Sequence, residues 1–396
     1  MRTLDGYFRG RTRLWAAAGL WTGILLTAFN VYAAVVEFIP QYRFRNDFRL
    51  IYGAALAAWT NGYSHLYDLA AQRATTESLG QGIYWQPYIN PPPLAWLATL
   101  FLAFPFGVAL LAWSVLLLLA AWIAWRLAAP GPRLTRLAHL FLFVGVFPTA
   151  FGLMVGQPVV LVAAAVAASW WLAEHRRPVL AGVALSLIAL KPQLALLVPL
   201  CLLVAGRWRI FFAWLAASAV IGAVALLMLG GDGVQRYRDA LSLASQWAPT
   251  RSFAVAGPLG LGLQVYALEL VVVGIAAFSA WQHRGGDAGR LYATGVVSSL
   301  LFTPYVGFQD FAMLIVASWL LIRSGVTSFQ VALMVVGYAL LELALVVQAV
   351  PILIAEGALL LSLAWPPPRN TQVPANSDFD ERSSPIVPAN AGNRGG

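Results

Sequence analysis

The chain has 396 residues, of which 60% are hydrophobic and only 10% are charged. Soluble domains carry roughly 25% charged residues, so this composition excludes an ordinary soluble protein and indicates a polytopic membrane protein. The formal net charge is +9, which arginine-rich cytoplasmic loops explain without any nucleic-acid partner. The single cysteine, Cys201, cannot form an intrachain disulfide.

Apolar segments separated by basic clusters predict about twelve transmembrane helices, with both termini in the cytoplasm. The clusters that mark cytoplasmic loops include Arg126 with Arg133 and Arg136, and the pair Arg176 and Arg177. The predicted spans are residues 14–36, 107–125, 137–154, 158–173, 179–190, 194–205, 210–229, 259–281, 291–303, 311–322, 326–348 and 350–365.

Two long regions between predicted spans face outward in this topology. We call residues 37–93 the first loop region and residues 230–258 the second loop region. In the first, Asn46 predicts the N-cap of an amphipathic helix that starts at Asp47. The next apolar segment, residues 94–104, is too short to cross a hydrocarbon core of about 30 Å. We therefore expect it to form a re-entrant or interfacial helix.

The predicted membrane domain covers residues 1–365 as a single unit. Residues 366–396 are rich in proline, serine and asparagine and have little apolar surface to bury. They predict a disordered cytoplasmic tail.

Four polar residues on the predicted outward side are the first candidates for function, because hydrocarbon penalises ionisable groups strongly. They are Asp47, Gln157, Lys191 and Asp310. Lys191 is the only lysine, and it precedes a proline between two short predicted helices, where irregular backbone lines a cavity rather than lipid. An ammonium group there suits an anion such as phosphate. The alternative is a snorkelling anchor at the membrane interface.

Asp47 has two interpretations that its local sequence does not separate. One is a helix-start carboxylate that the helix dipole stabilises. The other is a general base or a metal-coordinating acid that faces the outer leaflet.

A set of short motifs runs in order over about residues 40–320. They are Asn46-Asp47-Phe48 with Tyr52 and Ala54-Ala55, Gly62 with Leu66-Tyr67-Asp68, Tyr88 with Pro91-Pro92, Gly156-Gln157-Pro158, Arg177-Pro178, Ala181-Gly182, Lys191-Pro192-Gln193, Pro304-Tyr305 and Asp310-Phe311. With these motifs the chain resembles glycosyltransferase family 87, which comprises integral membrane enzymes of the GT-C superfamily.

The resemblance implies a GT-C-like fold with a cavity open toward the outer face of the cytoplasmic membrane. It also implies a polyprenyl-phosphate-linked sugar donor, commonly carrying mannose, and a hydroxyl group on a lipid or glycan as acceptor. Membrane lipids are the expected surroundings, and no nucleic acid is expected.

The resemblance also implies roles for particular residues. Asp47 takes the position of the catalytic acid, which acts as a general base in an inverting transfer. The residues expected at the donor phosphate are Lys191, Arg49 and Arg251, and those expected at the sugar or the acceptor are Asn46, Gln157, Gln193, Tyr305 and Asp310. No soluble cofactor is expected, and an obligatory divalent metal is not favoured because Asp47 has no adjacent acidic residue.

Two other functions are compatible with many membrane spans. A secondary transporter fits broken helices near polar groups, but it predicts two related halves, and the sequence shows none. A non-catalytic membrane scaffold or a polymer ligase is the third alternative.

Overall fold

The computed structural model describes residues 12–39, 46–80, 85–246 and 251–365. Within these ranges all regular structure is helical and no strand forms, so the predicted all-α class is confirmed there. The predicted cytoplasmic tail, residues 366–396, lies outside the described residues. Short parts of the two loop regions also lie outside them, namely residues 40–45, 81–84 and 247–250.

The described residues of the first half of the chain form ten α-helices. In chain order these are α1 (Thr12–Ala33), α2 (Asp47–Asn61), α3 (Leu69–Ser78), α4 (Pro92–Thr99), α5 (Phe106–Ala128), α6 (Arg133–Gly145), α7 (Phe147–Val155), α8 (Val159–Glu174), α9 (Pro178–Leu185) and α10 (Val198–Val204). Short 3-10 turns lie at Tyr63–His65, Ser186–Leu190 and Pro192–Leu194.

The second half begins with the longest helix and continues with shorter ones. These are α11 (Trp208–Ser245), α12 (Ala256–Leu259), α13 (Leu263–Gln282), α14 (Ala288–Phe302), α15 (Ala312–Ser324), α16 (Ser328–Glu342), α17 (Ala344–Val347) and α18 (Ala349–Leu363). A 3-10 turn at Phe308–Phe311 leads directly into α15.

Four of the described helices are long and apolar enough to cross a membrane. They are the helix Thr12–Glu37, which includes α1, and the helices α5, α11 and α13. The pair α6 and α7 passes the same test only as one span, and it bends by 58° at the break between the two helices. These helices identify the chain as a membrane protein.

The expected count of about twelve crossings is not confirmed. The remaining described helices are shorter: α8, for example, has 16 residues and a length of about 24 Å. Hydropathy alone does not identify membrane spans, because a helix buried inside a protein is as apolar as one in lipid. Helix α14 illustrates this, since every residue from Ala288 to Leu301 is buried among neighbouring helices.

The first loop region forms the helices that its sequence predicts. Helix α2 begins at Asp47, and the Asn46 side chain accepts a hydrogen bond from the Arg49 backbone N–H at 2.9 Å, as an N-cap does. The segment predicted to be re-entrant or interfacial contains α4, which has only eight residues. Helix α4 packs against α2.

The second loop region is helical for much of its length. Helix α11 continues through it to Ser245 and departs from helical geometry at Gly230, where φ is 61°. Its second half packs on the first loop region, where the Arg236 guanidinium donates a hydrogen bond to the Ser64 carbonyl at 2.8 Å. The same guanidinium lies 3.8 Å from the Asp68 carboxylate. These contacts hold the second half of α11 against the first loop region.

Candidate active site

Four polar side chains from distant parts of the chain form one continuous hydrogen-bonded row. The Lys191 Nζ donates to Asp310 Oδ1 at 2.5 Å and to Gln157 Oε1 at 3.1 Å. The amide nitrogen of Gln157 in turn donates to Asp47 Oδ2. The row therefore runs from Asp310 through Lys191 and Gln157 to Asp47, and it brings together the four candidates that the sequence placed on one side.

This row borders a cavity with a volume of about 870 Å³. Most of the polar side chains that line it are uncharged amides and hydroxyls. The lining residues are Asp47, Leu50, Ile51, Gln86, Pro87, Tyr88, Ile89, Asn90, Pro91, Gln157, Lys191, Pro192, Gln193, Tyr237, Leu241, Ala244, Gln246, Thr303, Tyr305, Gly307, Gln309 and Asp310.

Gly156 brings Gln157 next to the start of α2. It ends α7 with a φ of 77°, a left-handed conformation that favours glycine. A Cβ at this position would lie 2.8 Å from the Phe48 Cβ, so only glycine allows the two segments to approach this closely. The indole nitrogen of Trp113 donates to the Gly156 carbonyl at 2.9 Å and fixes the turn from the other side. The close approach sets Gln157 against Asp47.

Lys191 is positioned by a break between two 3-10 turns. Its backbone has φ −156° and ψ 77°, which ends the turn Ser186–Leu190, and Pro192 starts the next turn. The side chain is only 6% exposed, so its charge is removed from bulk solvent. Such a buried ammonium requires polar partners, and it has them in Asp310 and Gln157.

Asp310 is held by its own backbone turn as well as by Lys191. Its Oδ2 accepts a hydrogen bond from the Gly307 N–H at 3.0 Å, within the turn that leads into α15. The same turn packs against α7 through Phe308, whose ring lies 5.1 Å from that of Phe147. Both oxygens of Asp310 therefore have protein partners.

Residues 85–91 form a second wall of the cavity, and aromatic side chains hold this extended segment in place. The rings of Tyr67 and Tyr237 stack with centroids 4.2 Å apart. The Tyr67 hydroxyl donates to the Asn90 carbonyl at 2.7 Å, and the Tyr237 hydroxyl donates to the Ile89 carbonyl at 3.3 Å. Because Tyr237 belongs to α11, the long helix and the first loop region shape this wall together.

The electrostatics of the cavity wall depend on three charged side chains. Among the lining residues these are Asp47, Asp310 and Lys191. Burial raises the pKa of Asp47, which lies outside the candidate membrane spans, and the hydrogen bond from Gln157 and the charge of Lys191 partly offset this effect. Lys191 has three N–H donors and uses two of them within the wall, so one stays available to a ligand.

The predicted site residues divide into two groups. Those that line the cavity are Asp47, Lys191, Gln157, Gln193, Tyr305 and Asp310, and those that do not are Asn46, Arg49 and Arg251. The roles of the first group stay predictions, although the geometry places them around one space.

The three residues outside the wall make contacts within the protein. Asn46 uses its side-chain oxygen to cap α2. The Arg49 guanidinium is buried, donates from Nε to the Thr76 carbonyl at 3.3 Å and lies over the Phe106 ring. Arg251 donates to the Ser245 carbonyl at 2.8 Å. The structure does not bring these three side chains into the cavity wall, and their expected roles stay predictions.

Asp310 is the counter-ion of Lys191 in this arrangement. Its two oxygens accept hydrogen bonds from Lys191 and from the Gly307 N–H. Its expected contact with a sugar or the acceptor stays a prediction.

Sequence reasoning missed several lining residues that do not stand out locally. They include Gln86, Asn90, Tyr237, Gln246, Thr303 and Gln309. Tyr88, which carries part of the family resemblance, was available as a signal for the wall at residues 85–91, and Gln309 directly precedes Asp310. Tyr237 reaches the cavity because the second half of α11 packs on the first loop region, a tertiary contact with no local signal.

Metal ligands do not cluster in the described residues. Across residues 12–39, 46–80, 85–246 and 251–365, no three side chains of His, Cys, Asp or Glu come together in a way that could hold a metal ion. Metal independence stays a prediction that requires a chemical test.

Comparison with known families gives one match. The model of glycosyltransferase family 87 matches residues 88–304, which is just over half of the chain. This range includes Gln157 and Lys191. No curated protein and no solved structure matches the chain.

Proposed function

The chain belongs to glycosyltransferase family 87, and we propose that it transfers a sugar from a polyprenyl-phosphate-linked donor to a hydroxyl acceptor in the 870 Å³ cavity. Family membership makes the protein a glycosyltransferase that uses a sugar donor and an acceptor. It disfavours the transporter and scaffold alternatives. The proposal includes three finer points. The donor carries a polyprenyl lipid, the sugar is a hexose such as mannose, and the site faces outward from the cytoplasmic membrane.

The proposed reaction is a single displacement with inversion. Asp47 Oδ1 takes the proton from the acceptor hydroxyl as that oxygen attacks the anomeric carbon. A new bond forms between the acceptor oxygen and the anomeric carbon, while the bond from that carbon to the phosphate oxygen breaks. The electron pair leaves with the lipid phosphate, and the proton on Asp47 later returns to water.

Lys191 would stabilise the leaving phosphate. Its remaining N–H donor is available to a phosphate oxygen, and Asp310 keeps the ammonium in place. A preorganised cation in a site of low dielectric stabilises negative charge that develops in the transition state. Gln193 and Tyr305 lie in the same wall and would contact sugar hydroxyls.

One observation supports this proposal most strongly. Asp47, the base, and Lys191, the cation, are 144 positions apart in the sequence, yet Gln157 bonds to both of them at the border of one cavity. An acid–base group and a phosphate-binding cation within one site are what a lipid-phosphate sugar donor requires.

The test is transfer by the purified protein in liposomes. With a radiolabelled polyprenyl-phosphate sugar and a panel of lipid and glycan acceptors, we expect labelled product with the wild-type protein and a loss of at least about a hundredfold in Asp47→Asn. The folded state of the variant is checked by its thermal unfolding in detergent. Uptake of label into the liposome lumen, unaffected by Asp47→Asn, would support transport and refute the proposal.

A further inference from the structure

The side-chain amide of Gln157 lies between a group that only donates hydrogen bonds and a group that accepts them. An ammonium has donors and no acceptor, so the Lys191 Nζ, 3.1 Å away, requires the amide oxygen to point toward it. The NH₂ group must then point the other way, where it donates to Asp47 Oδ2. Lys191 thereby determines that the NH₂ group of Gln157, and not its oxygen, faces Asp47.

We propose that Gln157 is a positioning residue that orients the Asp47 carboxylate for proton abstraction, with its own amide orientation fixed by the Lys191–Asp310 ion pair. This proposal rests on the proposed function, because it assigns Asp47 as the base. It differs from the sequence-based expectation, in which Gln157 binds the sugar or the acceptor.

The bonding of Asp47 supports this assignment. Its Oδ2 accepts the hydrogen bond from Gln157, and within the described part of the chain no hydrogen bond goes to its Oδ1. Asp47 lines the cavity, so the free oxygen is the one that an acceptor hydroxyl can reach. Fixing one oxygen of a carboxylate leaves the other in a defined direction, which a general base requires.

The backbone around Gln157 is fixed as well as its side chain. The Gln157 N–H donates to the Gly152 carbonyl at 2.8 Å, and the preceding carbonyl, that of Gly156, accepts from Trp113 at 2.9 Å. The position of the amide is therefore determined by the fold before any substrate binds.

The charges that face Asp47 determine how the loss of Gln157 affects the base. From the neighbouring elements these are Lys191, which favours the carboxylate, and Asp310, which disfavours it. The hydrogen bond from Gln157 also favours the carboxylate and so lowers the pKa of Asp47. Its removal raises that pKa, so Asp47 stays protonated up to a higher pH.

The experiment compares Gln157→Leu with Gln193→Leu in the liposome transfer assay across pH. Gln193 lines the same cavity, and its side chain has no hydrogen bond to Asp47 or to Lys191 within the described residues. For Gln157→Leu we expect kcat to fall about ten- to a hundredfold, the effect of losing one hydrogen bond to a charged group, with little change in KM. We also plot the transfer rate against pH and call its rise at low pH the acid limb. For Gln157→Leu we expect the acid limb to move to higher pH. For Gln193→Leu we expect a higher KM and an unshifted limb.

A second variant keeps the test decisive if Gln157→Leu does not fold. Gln157→Asn keeps an amide but is one methylene shorter, so it cannot reach Lys191 and Asp47 together. Its acid limb should move in the same direction by a smaller amount. If instead the Gln157 variants raise KM and leave the limb in place, Gln157 binds substrate and the positioning role is wrong.

These experiments distinguish a failure of the positioning role from a failure of the proposed function. If the proposed function is wrong, Asp47→Asn retains transfer or the wild-type protein shows none. If only the positioning role is wrong, Asp47→Asn abolishes transfer while the Gln157 variants leave the acid limb unshifted. Rescue of the limb position in Gln157→Asn relative to Gln157→Leu would support the orientation argument directly.

Discussion

Replacing Lys191 by methionine should reduce both stability and transfer, and the structure allows the two effects to be separated. The Lys191–Asp310 pair is buried, with side chains only 6% and 1% exposed. Breaking a buried pair by removing one partner typically costs about 3–5 kcal/mol, since the remaining charge is left uncompensated. For Lys191→Met that remaining charge is the Asp310 carboxylate.

The double variant Lys191→Met/Asp310→Asn separates stability from catalysis. The replacement amide still accepts the hydrogen bond that the Gly307 N–H now gives to Asp310 Oδ2, and it has no charge to compensate. We therefore expect the double variant to regain much of the lost stability, measured as thermal unfolding in detergent. Transfer should stay at least about a hundredfold below wild type, because no cation is left at the leaving phosphate.

Arg251→Met is the matched control for this experiment. It also removes a cation near the cavity, but Arg251 donates to the Ser245 carbonyl and does not line the wall. We expect its transfer rate to stay close to wild type. Recovery of transfer in the double variant, or an equal loss in Arg251→Met, would refute the assignment of Lys191 to the donor phosphate.

Three further predictions concern the base, the turn beside it and metal dependence. Because burial raises the pKa of Asp47 above its ordinary value of 3.8, kcat/KM should rise with pH through an acid limb above that value. The free energy of unfolding should fall as pH rises through the same range. A carboxyl whose pKa is raised in the folded state stabilises the fold at low pH, and this contribution is lost as pH rises through the folded-state pKa. Gly156→Ala should lower transfer about tenfold or more and reduce thermal stability. The added Cβ would lie 2.8 Å from the Phe48 Cβ and would displace Gln157. Unchanged kinetics in a folded Gly156→Ala protein would contradict this prediction. Treatment with EDTA should leave the initial rate of transfer unchanged, and a loss that Mg²⁺ or Mn²⁺ restores would show that the expectation of metal independence is wrong.

Local chemistry was sufficient to predict the start of α2. Asn46 is a strong N-cap residue, and the structure confirms both the cap and a helix that begins at Asp47. The break at Lys191 was predictable for a similar reason, because a proline follows it and cannot donate a backbone hydrogen bond. These features depend on only a few neighbouring residues.

Features that depend on tertiary packing could not be predicted in this way. Arg49 is two positions beyond Asp47, the first residue of α2, and it carries a charge, so a phosphate contact was expected. Its guanidinium instead reaches the Thr76 carbonyl because α3 packs against α2. Similarly, the pairing of Asp310 with Lys191 joins residues 119 positions apart and has no signal in either local sequence.

The expected number of membrane crossings is not confirmed, and hydropathy alone does not determine it. Hydropathy measures how apolar a segment is, and helices such as α14 are apolar because they are surrounded by protein. Length is the more informative property, and four described helices meet the requirement for crossing.

The most direct test of the central claim is the transfer rate of Asp47→Asn beside that of wild type, both in liposomes with a polyprenyl-phosphate sugar. The asparagine side chain is similar in size to the aspartate it replaces, but it cannot accept a proton from the acceptor hydroxyl. The account predicts a folded protein whose transfer falls by at least about a hundredfold at every pH. A folded Asp47→Asn protein that retains the wild-type rate would contradict the assignment of Asp47 as the general base.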